Sequence, residues 1–244
     1  QPIFQERATW ALGLFAPGAG AQEYGAAAQD YGSAIIGLTG LPIYHPNQKN
    51  PATNQLLHLG VSADILYSSS STLRYRTRPE SYLAPYIIDT GDIAAHRAAT
   101  FGGEVAWVNG PLIIQGVGIY SVVQQENGQN LNFGGFYAFA GWYLTGESRP
   151  YNPATGAFQR LIPRSNFSFS GGGWGAWEVA CRFSHTDLSD ENVQGGTLNL
   201  LMAGVNWYPH SHVKWMFNYG MGHVSGGPND GNMFIFQTRV GVDF

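Results

Sequence analysis

Six residues at every second position close the chain: Phe234, Phe236, Thr238, Val240, Val242 and Phe244. Between them stand Ile235, Gln237, Arg239, Gly241 and Asp243. Successive side chains of an extended strand point to opposite faces, so this period builds a two-faced strand and no helix. The same period recurs in Leu57–Tyr67, Leu73–Arg78, Phe101–Val108, Gly173–His185 and Val213–Gly220. No run of about 18 apolar residues exists, which leaves no membrane-spanning helix. Yet only 11% of the residues are charged, against about 25% in soluble domains. Abundant glycine (33) and aromatic residues (14%), with a mean hydropathy of −0.14, complete the pattern. Low charge with alternation and no long apolar run fits an all-β, antiparallel transmembrane β-barrel, whose strands alternate lipid-facing and lumen-facing residues. The chain reads as one domain, residues 1–244, with about 11–12 strands.

The connections also fit. "SSSS" (Ser68–Ser71), "VNGP" (Val108–Pro111), "QENGQN" (Gln125–Asn130) and "PHSH" (Pro209–His212) read as short. Pro42–Asn54, Ser148–Asn166, Asp187–Gly196 and Val224–Asn232 read as longer. Rough alternation of the two predicts tight turns at one rim and loops at the other. The Gly/Ala-rich stretch Phe15–Ser33 reads as a loop folded into a pore or a weak hairpin. Gln1 in place of Met, with no signal peptide, reads as a mature or truncated chain.

The single cysteine, Cys181, allows no internal disulfide and reads as a small strand residue. His210 and His212 lie near each other in a turn without a third ligand, so no metal site and no cofactor are expected. Ser184 and His185 fall on opposite faces, which speaks against a hydrolytic pair and an enzyme. Nothing in the charge pattern points to nucleic acid.

"LRYRTRPE" (Leu73–Glu80) places Arg74, Arg76 and Arg78 on one face, about 7 Å apart. Arginine near the bilayer midplane costs about 2–4 kcal/mol, so the row is expected in the lumen, with Leu73 and Tyr75 toward lipid. Like charges at that spacing repel by roughly 0.6 kcal/mol per pair in water and about 2.4 kcal/mol at a dielectric near 20. A row left positive attracts anions, and guanidinium forks match phosphate oxygens. Alternation adds Arg182, Lys214 and Arg239 to the lumen face, with Asp64, Glu104, Glu178 and Asp243 against them. A structural reading pairs Arg182 with Glu178 and Arg239 with Asp243. Two stretches, Gly110–Val123 and Gly134–Leu144, are apolar on both faces. Such strands imply that something covers the inner wall, such as a folded-in loop or a plug.

"LLHLG" (Leu56–Gly60), "LRYRTRPES" (Leu73–Ser81), "DTGDI" (Asp89–Ile93), "WYLTGESRPYN" (Trp142–Asn152), "GAWEVACRFSHTDL" (Gly175–Leu188) and "GVNWYPH" (Gly204–His210) occur in order. Together with "QERA" (Gln5–Ala8), "GAF" (Gly156–Phe158) and "NYG" (Asn218–Gly220) they resemble the C-terminal part of the phosphate-selective porin O/P family. The resemblance implies a sixteen-stranded, homotrimeric barrel in bacterial outer-membrane lipid, begun here at about the fourth or fifth strand. It also implies an arginine ladder, matched by Arg74, Arg76 and Arg78, that guides phosphate or similar anions. The alternative is a scaffolding barrel with an occluded pore in a larger assembly.

Overall fold

The computed structural model describes residues 1–16, 31–47, 53–227 and 229–243. Most of the Phe15–Ser33 stretch, the tip of the Pro42–Asn54 loop, Pro228 and the terminal Phe244 lie outside the described residues. In chain order the strands are β1 (Pro2–Ile3), β2 (Ala8–Phe15), β3 (Tyr31–His45), β4 (Gln55–Ser68), β5 (Thr72–Leu73), β6 (Arg76–Thr77), β7 (Ile88–Asp89) and β8 (Ile93–Asn109). They continue with β9 (Leu112–Gln125), β10 (Asn130–Tyr143), β11 (Tyr151–Asn152), β12 (Ala157–Phe158), β13 (Ala176–Asp190), β14 (Val193–His210), β15 (Val213–Ser225) and β16 (Gly231–Val242). Every pairing is antiparallel.

Among the described residues twelve strands form one sheet, in line with the 11–12 expected from the alternation, and its long members run β2-β3-β4-β8-β9-β10-β13-β14-β15-β16. The sheet curls. Tyr31 on β3 and Gln237 on β16 both bond to one short segment, at Thr72 O and Glu80 O. Eight strand spacings separate β3 from β16, about 38 Å if flat. Eight residues reach at most about 27 Å. The sheet therefore wraps around that segment, and its concave face is the lumen. Within the described residues β16 and β2 do not pair, so the cylinder is open there.

The convex face carries the apolar partner of each alternation: Val61, Ile65, Phe234, Phe236 and Val240 are all more than half exposed. Trp107, Trp142, Trp177, Trp207 and Trp215 sit on this face near one rim, tied by the registers Trp107↔Ile114, Trp142↔Leu112, Trp177↔Trp207 and Trp207↔Trp215. Trp177, Trp207 and Trp215 stack in sequence at 5.6 and 6.5 Å. Amphipathic rings gathered at one height mark a membrane–water interface.

The rims do not divide into one of turns and one of loops. The 69–92 connection shares its rim with the two-residue β13–β14 turn, and the 144–175 connection shares the other rim with the two-residue β8–β9 turn. The expected segregation is thus corrected, because among the described residues a long connection runs inward from each rim. The apolar inner faces find their cover there. Val123, Leu131 and Phe133 are buried with Leu73 and Ile88 of the first connection. Ile113 and Tyr143 are buried with Leu161 of the second. The Gly156 Cα faces β2 and β3, where an added Cβ would stand 2.9 Å from the hydroxyls of Thr9 and Thr39, and its φ is +68°. Gly156→Val is therefore expected to lift the second connection off β2 and β3, read as faster limited proteolysis within residues 144–175.

Candidate functional site

The first inward connection, residues 69–92, is a strap across the lumen. Its sequence alternation holds, but its layer differs from the expectation. Leu73 is 3% exposed, and Tyr75 packs its ring 5.2 Å from that of Phe133 while its hydroxyl meets Ser121 Oγ at 3.0 Å. Both side chains thus meet the inner wall, which corrects the expectation that they face lipid. The physical reason is simple: an apolar face needs only an apolar surface, and β9 and β10 supply one.

Ile88, fully buried, anchors the return limb. Thr90 closes the two limbs by backbone and hydroxyl bonds to Tyr75. Replacing Ile88 with alanine is expected to cost about 2–5 kcal/mol, as for other buried aliphatic truncations, read as a lower unfolding midpoint of the purified protein.

The three arginines of the strap differ in employment. Arg74 is held by Asp89 through a two-pronged pair at 2.8 and 2.6 Å, with Asp92 at 3.6 Å. That charge is neutralised at once. Arg76 pairs in register with Asp89 and lies 3.9 Å from the Tyr86 ring. Arg78 takes the other contact on the same ring at 4.2 Å, with Tyr82 at 5.1 Å. Tyr86 thus joins the two guanidinium groups by cation–π attraction.

The Arg74 hydrogen bond holds the Asp89 carboxyl below its ordinary range, aided by the Gly91 N–H and opposed by burial. A depressed carboxyl stabilises at neutral pH, and its contribution is lost as pH falls through the lowered value. Strap-derived current noise is therefore expected to rise only below the usual carboxylate range. Asp89→Asn should be noisy already at neutral pH, with no further rise on acidification.

On the wall, β13, β15 and β16 bring Arg182, Lys214 and Arg239 to one cleft of about 300 Å³, shared with Glu80 of the strap. Arg182 Nε contacts Glu80 Oε1 at 3.0 Å and its guanidinium lies 3.7 Å from the Tyr137 ring. Lys214 Nζ is 5.1 Å from the Tyr208 ring. Three cations and one carboxylate leave a positive balance.

The strand pairings first read for these cations are corrected. Glu178 receives hydrogen bonds from Asn206 Nδ2 and Tyr208 Oη, and Arg182 pairs instead with Glu80. No Arg239–Asp243 ion pair occurs among the described residues. Residues four apart on a strand stand about 13 Å apart, too far for a direct bond. Glu80 reaches Arg182 from a distant segment, so no spacing along β13 reveals the pair.

Toward the other rim, Tyr151 Oη meets His58 Nδ1 at 2.6 Å and His58 Nε2 meets Glu104 at 3.0 Å. Burial, with Glu104 and Tyr44 nearby, pushes the Tyr151 hydroxyl up to about 12, so it stays a neutral donor. It donates to His58, which in turn donates to Glu104, pinning the second connection to β4 and β8. Ser184 and His185 sit on opposite faces, His185 against Phe136 on the convex side. Among the described residues no cluster of three metal-binding side chains forms.

A lumen-spanning strap beside clefts lined by cations is now in view. Residues 44–240 match the family model described as phosphate-selective porin O and P. The chain belongs to that family. A protein of Caulobacter vibrioides described as uncharacterized is 28% identical over 98% of this chain and 50% of its own length. Porin O of Pseudomonas aeruginosa is 25% identical over 75% of this chain and 49% of its own length. The chain spans about half the length of these relatives. Membership is in a family of outer-membrane porins, and the curled antiparallel sheet of this chain agrees with it.

Proposed function

We propose that the chain forms part of a passive channel for phosphate or similar small anions in the bacterial outer membrane. The carrying observation is a run of cations along the lumen: Arg78 of the strap shares one cleft with Arg182 of the wall, and Arg182 shares the next with Lys214 and Arg239. Several sites of modest depth let an ion enter and leave, as conduction requires. Guanidinium forks suit phosphate oxygens. In this reading Arg74 is an anchor rather than a rung, because Asp89 and Asp92 occupy it. The name of the Pseudomonas relative and of the family supports the solute class, and family resemblance supports a homotrimer in lipid.

A second reading is a scaffolding barrel with an occluded pore. It draws on the two inward connections that bury both ends of the inner wall. Planar-bilayer recording separates the two. The channel reading expects anion current that saturates with phosphate, and a barrel without current would favour the scaffold.

A further inference from the structure

Between the strap and strands β4, β8, β9, β10 and β13 lies a second cleft of about 510 Å³. Its floor is unlike a wet porin wall. Ile119 is 52% exposed, on the lumen face two residues from Ser121, which bonds to the strap; Val117 shares that face. Lumen faces of porins are expected to be polar. Inorganic phosphate gains nothing from bare aliphatic surface.

The charges around the floor are of both signs. Arg182 is engaged by Glu80. Arg78 has no ion-pair partner among the described residues, nor has Asp64 across the cleft on β4. A cation held only by aromatic rings, a carboxylate without a cationic partner and apolar surface in one cleft complement a particular chemistry. Pockets of this size with an apolar lining and a few polar groups are typical of small organic ligands.

We infer that this cleft takes a small zwitterion whose charges are separated by an apolar body. Its carboxylate meets Arg78, its ammonium faces Asp64 and its methylenes cover Ile119 and Val117. The inference rests on the porin reading, since the solute must enter the lumen. It adds a solute class to that reading rather than replacing phosphate.

The test uses the full-length protein in planar bilayers, with 6-aminohexanoate, hexanoate and glycine as blockers of the ion current. Burying part of the aliphatic chain and pairing both ends should make 6-aminohexanoate half-block at about tenfold lower concentration than either other probe. Asp64→Asn should erase its advantage over hexanoate, and Ile119→Ser its advantage over glycine. Both variants should keep saturation by inorganic phosphate. Equal block by 6-aminohexanoate and hexanoate, or by 6-aminohexanoate and glycine, overturns the zwitterion site alone when phosphate still saturates. Absence of any saturable anion current overturns both readings.

Discussion

Replacing Arg182, Lys214 and Arg239 together with glutamine is expected to lower the anion-over-cation permeability ratio by at least about twentyfold. Each cation acts on an ion passing at about 7 Å with roughly 0.6 kcal/mol in water. Three of them sum to about 1.8 kcal/mol, roughly twentyfold on the anion at room temperature, and the same change favours the cation. Reversal potentials in a salt gradient give the ratio directly. The sheet should survive, because its stability lies in strand pairing and in the apolar groups under the two inward connections. High salt should shrink the difference, since charges a Debye length apart are screened. Arg74→Gln serves as the contrast. Two carboxylates, Asp89 and Asp92, outnumber that charge, whereas the single carboxylate of Glu80 faces all three wall cations, so selectivity should change little while the strap loosens.

Release of the strap is the second large effect. Tyr75→Ala with Ile88→Ala removes a ring seated on Phe133 and a fully buried aliphatic anchor. Truncation of a buried aliphatic costs about 2–5 kcal/mol and of a large aromatic about 3–5 kcal/mol. The two sites share one hydrophobic cluster, so the sum is not additive. Even the lower figure is large for a segment held by a few side-chain bonds. Single-channel conductance should rise and become noisy, because the strap no longer fills the lumen. At the same time the preference for anions should weaken, since Arg76 and Arg78 leave the path with it. Unchanged conductance in a folded double variant would remove the strap from the conduction path.

Much of this architecture was legible in period-2 spacing. Phe234 to Val242 and Trp215 to Tyr219 lie on the convex face as alternation requires, and Lys214, Arg182 and Arg239 lie opposite. Leu73 to Arg78 shows the limit of that rule. Alternation reports two chemically different faces but not what each face meets. A strap seated on an apolar inner wall has the same period as a strand seated in lipid. The doubly apolar stretches Gly110–Val123 and Gly134–Leu144 held the missing clue, since they had to be covered from inside. The Arg74–Asp89 and Arg182–Glu80 pairs were less accessible, because they depend on a reversal of the strap and on a contact across the lumen. The tryptophan belt was present in the spacing of Trp107, Trp142 and Trp177 at successive hairpins, and only the register aligned it.

The most direct measurement is thiol accessibility in a Cys181→Ser background. Single cysteines replace Arg78 or Arg239 on the lumen side, or Phe236 or Val240 on the convex side. A membrane-impermeant anionic thiol reagent is applied to the protein in lipid while current is recorded. Reaction at positions 78 and 239 with a change in current, and silence at 236 and 240, is the expected result. Labelling at 236 and 240 with none at 78 and 239 would contradict it.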